Sequence, residues 1–538
     1  MSVRNFTLCC LPPVYRIRKR EISVYNNKPN AAVMGRWIAI AVLAAVFLLY
    51  LFKNRILVFF PFGLEKIEGE MLVFSQLVSE GRSLYPQLGN TPPFIGCNYP
   101  PLYFMLTGFL AKLFSPALVW GRAISFICAI LTGVIIFRIS RRSGADIAAS
   151  LIGVLLFYSL PLVNFFSSLH RIHIFSVCLA ICGFYLTMPR SDSLGRISIS
   201  EIAGMVLMAL GTLAKQTAVW APLAYFIWLG TVSRKEAGPA FLRMLLLAVI
   251  TAFGHIVLLV ATRGRYYDWV VYYASGIYRS GRLMLYARWF LTENFVLATP
   301  VLLFFVIFFV SWKQTGRWNI LLEKGRMFLK SRLHSYFFIY LILVVFSCAL
   351  AAKEGSSVAY FTEAAALLSC LTAMALGYIS RQADGAVENC AVFLFLFLML
   401  IHIGVNRRVI SRIYPIDIEF IAARDSAVIR TIRRTGGTLL CEDNIYAFLT
   451  KKAPYLVNPF IFSELAKRGI WKPDRIKSDI KSGAVSVVCL NFPAEDPKAA
   501  LRSLLGKELL DSIKKYFPYR VRIADRYLYM RKKAMPAR

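Results

Sequence analysis

Long apolar runs separated by short segments rich in arginine, lysine and turn residues fill the first three quarters of the chain. They lie near Trp37–Phe60, Ala117–Phe137, Ile147–Val163, Ile172–Met188, Glu201–Leu213, Ala218–Val232, Phe241–Thr262, Phe295–Trp312, Tyr336–Ala352, Glu363–Ser380 and Cys390–Val405. A helix needs about 17 to 25 mostly apolar residues to cross a bilayer. The pattern therefore predicts a mainly α, polytopic transmembrane helix bundle of about eleven spans, with the runs from Glu201 and Ala218 the shortest. Pro100–Phe114 is apolar too, but it is short and opens with two prolines, which suits an interfacial helix lying against the membrane.

Beyond Val405 the pattern changes. Strand-like runs (Thr438–Cys441, Val485–Leu490, Val521–Met530) alternate with amphipathic stretches such as Ala427–Arg434 and Phe460–Arg468, which predicts a small α/β domain. The chain then divides into a basic N-terminal segment (1–36), a membrane part (37–405) with a long loop at 61–116, and this tail (406–538). No internal repeat or low-complexity linker is evident, which argues modestly against the common two-half transporter architectures.

Composition supports lipid as the solvent. Of 538 residues 58% are hydrophobic and only 17% are charged, where soluble chains carry about 25%. The 63 Lys and Arg against 29 Asp and Glu leave a net charge of +34, which would suggest nucleic acid if it formed a basic face interleaved with aromatics. In the membrane part the basic residues instead sit between apolar runs, so they are a topology signal and no nucleic-acid partner is expected. With the N-terminus cytoplasmic, the inner segments hold Arg16, Arg18, Lys19 and Arg20; Arg138, Arg141 and Arg142; Arg190 and Arg196; Arg234 and Lys235; and Lys313, Arg317, Lys324, Arg326, Lys330 and Arg332. One outer loop, with Arg263, Arg265, Arg279, Arg282 and Arg288, runs against the rule. Counting Pro100–Phe114 as a span would move the Arg138 cluster outside. An odd number of spans puts the tail on the extracytoplasmic side of a cell inner (plasma) membrane.

The basic stretch from Arg4 to Lys28 precedes an apolar run without a small-residue cleavage site, so it reads as a retained first span. The 11 cysteines lie mostly inside apolar runs with no CxxC, which argues against a disulfide framework and a zinc site.

Candidate chemistry concentrates at the outer ends of the spans. The acids predicted to face outward from the membrane part are Glu65, Glu68, Glu70, Glu80, Asp268, Glu293, Glu354 and Glu363. Glu65 and Glu80 read as the solvated edge of an amphipathic helix. Glu68 and Glu70 flank Gly69 and directly precede an apolar helix, where a partly desolvated carboxyl has a raised pKa and can serve as a general base. Arg171 in SSLHRIH, Lys215 in LAKQTAV, and Arg263 and Arg265 in TRGRYYDW stand near the ends of spans. Charges at membrane depth are costly and are usually kept for a site. Converging Arg and Lys suit a phosphate or diphosphate, while snorkelling to headgroups is the alternative for each taken singly. His170 and His173, three apart without a placed carboxylate, are weak metal ligands; no metal residue is assigned, and a divalent ion is left open. Tyr85, Tyr99, Tyr103, Tyr266, Tyr267, Trp269, Tyr272 and Tyr273 read mostly as interfacial belt residues.

The succession EGEMLVFSQLVSEGRSLYP, NYPPLYFMLTGFLAKLF and GRAISF resembles the first outer loop of the GT-C glycosyltransferases, which include protein O-mannosyltransferases, aminoarabinose transferases and lipopolysaccharide-core galacturonosyltransferases. HRIHIFSVCLAICGFYL, LAKQTAVWAPLA, KEGSSVAYFTEAAAL, GTLLCEDNIYAFL and NPFIFSELAKRGIW are similar to the bacterial branch. The resemblance implies a polytopic enzyme that inverts the sugar of a polyprenyl-phosphate donor onto a glycan, lipid or protein acceptor. It places the catalytic carboxylate in the first loop. The family's acidic pair falls on Ile67 and Glu68, so the first acid is absent and the base moves to Glu68, with Glu70 as substitute. Arg171, Lys215 and either Arg122 or Arg265 would meet the departing polyprenyl phosphate, with Gln216 beside Lys215; Tyr360 and Glu363 would line a substrate pocket. His173 stands where similar sequences have Asp, and Ala359 where Asn is common. Two rival readings stand beside this one: a lipid-linked saccharide transporter or flippase, which would line a path through the bundle with charge, and an inactive membrane scaffold.

Overall fold

The computed structural model describes residues 31–190, 193–305, 331–382, 385–412, 417–496 and 505–531. The basic cluster Arg16–Arg20, the residues Lys313, Arg317, Lys324, Arg326 and Lys330, and the end of the Phe295–Trp312 run lie outside them.

Among the described residues six helices are long and apolar enough to cross a membrane: Ala31–Phe59, Leu118–Arg142, Arg234–Ala261, Arg332–Ala352, Val358–Arg381 and Gly385–Val405. Shorter apolar helices stand among them, at Leu102–Phe114, Ile147–Ser159, Ile172–Thr187, Ile199–Ala214 and Phe295–Phe305. The chain is a multi-pass membrane protein. In chain order the elements that matter below are α1 (Ala31–Phe59), α2 (Ile67–Ser79), β1 (Phe94–Ile95), α3 (Leu102–Phe114), α4 (Leu118–Arg142), α5 (Ile147–Ser159), α6 (Pro161–Phe166), α7 (Ile172–Thr187), α8 (Ile199–Ala214), α9 (Trp220–Gly230) and α10 (Ala237–Ala261).

Local chemistry explains several boundaries. The Ile147–Val163 run is cut at Leu160, because Pro161 cannot continue the ladder of α5 and instead opens α6. Asp146 caps α5 by accepting from the Ala149 N–H. On α1 the buried positions Ala32, Gly35, Arg36, Ala39, Leu43, Val46, Tyr50, Asn54 and Leu57 recur every three or four residues, so one stripe faces the bundle and the rest faces lipid. Arg36 on that stripe bonds Asp146 and Glu388, each at 2.9 Å, tying α1 to α5 and to the helix Gly385–Val405. Helices α7 and α8 pack closely through small residues: a Cβ on Gly183 would stand 2.7 Å from the Gly204 carbonyl oxygen, and one on Gly204 2.9 Å from that of Gly183.

The tail carries a four-stranded sheet in the order β2-β4-β6-β5, where β2 is Thr438–Cys441, β4 Val485–Leu490, β5 Tyr519–Ile523 and β6 Arg526–Met530. β2 and β4 run parallel, while β4 with β6 and β5 with β6 are antiparallel. The predicted strand-like run Val521–Met530 is thus a hairpin of two strands, turned at Ala524, which adopts φ +52°. The amphipathic stretches fall in the helices Ile418–Thr435 and Pro459–Lys467.

What positions the site is a clamp between the tail and the first loop. β1 pairs in parallel with β3 (Leu456–Val457). Asn458 donates to the Gly96 carbonyl at 3.1 Å while accepting from the Ile461 N–H at 3.2 Å. Trp471 donates its indole N–H to the Gly89 carbonyl at 3.2 Å. Around this seam Phe94 packs edge-on against Tyr455, Phe462 and Trp471, with ring centroids 5.7, 5.9 and 5.4 Å away.

Candidate active site

The two carboxyls flanking Gly69 have opposite surroundings. Glu68 is wholly buried and forms a two-pronged pair with Arg122 of α4, at 2.8 Å from Nε and 2.7 Å from Nη2. The Leu64 and His170 N–H groups donate to the same carboxylate at 2.8 and 2.7 Å. The remaining Arg122 donors reach the carbonyls of Leu57, Phe60 and Phe62. Burial alone would raise the Glu68 carboxyl, but the Arg122 charge and these four hydrogen bonds hold it below its ordinary range. The group is an anchor that fastens α2, α4, the α1–α2 turn and the start of α7 together.

Glu70, one residue beyond Gly69, is 5% exposed, and among the described residues nothing hydrogen-bonds its carboxyl. Burial pushes its pKa up to about 8, with the Glu65 charge adding to the rise and Arg171 and Lys66 opposing it. At neutral pH this carboxyl is mostly protonated, and it becomes a base as pH approaches 8.

Arg171, just before α7, supplies the adjacent cation. It bonds Glu65 at 2.7 Å through Nη1 and stands 3.0 Å from the His173 Nε2 through Nη2. Tyr99 completes this group, with Arg171, Tyr360, Glu70 and Cys97 among its charged or ionisable neighbours. Deeper in the bundle Lys215, at the break between α8 and α9, lies over the Tyr360 ring with Nζ 4.4 Å from the centroid. Lys215, Tyr360 and Glu363 line one small cavity with Ser176, Thr217, Ser347 and Ala359. Glu363 accepts from the Tyr340 hydroxyl, and Gln216 donates to the Asn98 carbonyl at 3.2 Å.

The tail adds a carboxyl. A Cβ on Gly69 would lie 2.2 Å from the Ile445 nitrogen and 2.8 Å from the Asn444 carbonyl carbon, so only glycine lets the tail backbone rest on α2 here. Asp443 accepts from that same Ile445 N–H at 3.1 Å. Burial raises its pKa to about 7, with Arg526 opposing and Asp425 and Glu65 contributing.

No family model matches the sequence, and no curated protein matches it. The architecture does match solved structures. The aminoarabinose transferase ArnT of Cupriavidus metallidurans, bound to undecaprenyl phosphate, aligns with a TM-score of 0.57 over 93% of this chain and 99% of that one, at 13% identity. The Archaeoglobus fulgidus oligosaccharyltransferase in complex with zinc and sulfate aligns with a TM-score of 0.53 over 91% and 71%, also at 13% identity. The chain has the GT-C fold. At such identity the likeness is one of fold, so the residues must speak for themselves.

In this GT-C fold Glu70, Arg171, His173, Lys215, Tyr360 and Glu363 form a chain of neighbouring polar groups, and Gln216 reaches the first loop at Asn98. Glu68 and Arg122 are occupied with each other beside them. Arg265 is not brought in: it donates to the Thr262 carbonyl at 2.9 Å at the end of α10, and no contact joins it to the Glu70 group among the described residues. His173 lies against the Arg171 guanidinium, and His170 packs against the Tyr103 ring. No group of three or more His, Cys, Asp or Glu among the described residues forms a metal site. Of the predicted belt aromatics, Tyr85, Tyr103, Tyr266 and Trp269 are buried, whereas Tyr267 and Tyr272 are exposed.

The sequence did not single out Asp443, and it offered Glu65 only as a solvated edge and Tyr99 only as one of the loop aromatics. Glu65 read as a solvated edge because the arginine that holds it lies 106 positions away, just before α7. Asp443 stands in the CEDN segment, whose adjacent acids at the end of an apolar strand were the available signal.

Proposed function

We propose that the chain is a membrane glycosyltransferase that moves a sugar from a polyprenyl-phosphate donor to an extracytoplasmic acceptor, with inversion. The observation that carries this reading is Glu70: a buried carboxyl with no hydrogen bond among the described residues, within electrostatic reach of the Arg171 guanidinium. The fold supports it, because ArnT was solved with undecaprenyl phosphate and the archaeal oligosaccharyltransferase AglB, at a TM-score of 0.50, with dolichol-phosphate and an inhibitory peptide.

In the proposed reaction Glu70 takes the proton of an acceptor hydroxyl as its oxygen attacks the anomeric carbon. The bond from that carbon to the phosphate oxygen breaks on the opposite face, so one displacement inverts the centre. The electron pair leaves with the polyprenyl phosphate, whose charge is met by Arg171 and, from the cavity below, by Lys215. Glu65 keeps the Arg171 fork in place, and Glu68 holds the loop without touching the reacting atoms. Tyr360 and Glu363 line the pocket around the sugar. On this reading the N-terminus is cytoplasmic and the tail extracytoplasmic, in the plasma membrane.

The test is transfer from radiolabelled undecaprenyl-phosphate sugars to envelope lipid, glycan and peptide acceptors by the purified chain. Transfer that is lost in Glu70→Gln supports the assignment, and transfer that survives it removes Glu70 as the base. Movement of the lipid across a vesicle without transfer would favour a flippase.

A further inference from the structure

We propose that the Asp443–Asn444 turn of the tail recognises sugar hydroxyl groups, which makes the tail part of the transfer site. The inference rests on the transferase reading above and adds to it a recognition element on a different part of the chain.

The geometry begins at Gly69. The Asn444–Ile445 peptide lies against this glycine, directly beside Glu70, and the Asp443 carboxyl turns back onto the Ile445 N–H of the same peptide. The turn therefore sits at the base, where a reacting sugar must pass. Asn444 carries the second observation. Its side chain is fully buried, yet among the described residues neither its amide oxygen nor its amide nitrogen has a hydrogen-bond partner. Buried polar groups are nearly always paired, and an orphaned amide is maintained only if something compensates it.

The donor set points to the ligand. The amide offers two N–H donors and an acceptor oxygen, and the neighbouring carboxyl adds acceptor sites. Neighbouring ring hydroxyls, each able to donate and accept, complement that arrangement. A phosphate suits it less well, because the Asp443 carboxyl offers acceptors and no donor to phosphate oxygens. The site is closed in this state: Glu70, Asp443 and Asn444 are 5%, 6% and 0% exposed. Entry of a sugar requires the turn to lift from α2, and among the described residues no hydrogen bond or ion pair fastens Asp443, Asn444 or Ile445 to that helix.

The experiment uses the full chain in nanodiscs and measures binding of undecaprenyl phosphate, bare and carrying mannose, glucose or galacturonic acid. Asn444→Ala and Asp443→Asn are compared with wild type, with the exposed Glu508→Gln as control. Methyl glycosides of the same sugars are added as competitors. The expected result is that wild type prefers a sugar-bearing lipid, and that each turn variant reduces this preference roughly tenfold with bare-lipid affinity unchanged. If the preference survives but competition by methyl glycosides is lost, the recognised hydroxyls belong to the acceptor, which also supports the proposal. Preference and competition both retained in the two variants would overturn it, as would an equal loss of bare-lipid binding, which marks the turn as structural. If wild type transfers sugar while the variants keep its specificity, only this inference fails. If wild type neither prefers nor transfers any sugar, the transferase reading falls and takes this one with it.

Discussion

Glu68 and Glu70 stand on either side of one glycine and answer to opposite electrostatics. Removing the Glu68 charge leaves Arg122 buried without its counter-ion, a change that costs about 3–5 kcal/mol in comparable pairs. Glu68→Gln is therefore expected to lower the thermal unfolding midpoint sharply in detergent, and loss of transfer in that variant follows from instability. Glu70→Gln is expected to fold normally and to lose transfer by about 10²–10⁴-fold, the usual contribution of a general base. The pH dependence separates the two further. With Glu70 held at a pKa of about 8, wild-type transfer should climb as pH rises through that value, because only the ionised form accepts a proton. Stability moves the other way. The folded state keeps a proton on Glu70 that the unfolded chain has already lost, so this residue withdraws stability as pH rises from the ordinary carboxyl range to about 8. Glu70→Gln should thus raise the unfolding midpoint more at pH 9 than at pH 5; equal midpoint shifts at both pH values would contradict the raised pKa.

Among the elements, those set by local pattern were legible and those set by distant contacts were not. The apolar runs from Ala117, Ile147, Ile172 and Cys390 each became helices because a bilayer selects composition over a continuous stretch. Thr438–Cys441 and Val485–Leu490 became strands with the same bounds, since short β-branched and apolar runs between turns suit a buried parallel pair. The two-residue β1 carries no periodicity at all and exists only because β3 lies beside it. The docking of α2 on the tail belongs to this class. Gly69→Ala places a methyl carbon within 2.2 Å of the Ile445 nitrogen, and such overpacking costs about 1–3 kcal/mol. Limited proteolysis should then cut the tail from the membrane part faster than in wild type, while Gly81→Ala, with open space around it but φ +71°, should affect only its own loop.

Across the whole molecule the helical bundle followed from composition, whereas the candidate site is assembled from residues far apart in sequence. Glu70 and Lys215 were visible as charges beside apolar runs. Glu65 gained its meaning from Arg171 more than a hundred positions away, an ion pair no local pattern encodes. Orientation is the large-scale expectation still to be measured. Alkaline phosphatase fused after Arg538 should be active, and fused after Ser143 it should be inactive; the reverse pattern would invert the assigned topology. The parallel pairing of Phe94–Ile95 with Leu456–Val457 also sets an order of events during biosynthesis. The first loop emerges early, but the strand that clamps it is synthesised only after most of the spans have been made. A chain arrested before Leu456 has its helices and lacks the partner that seats the loop beside α2, so this membrane protein finishes its first loop last.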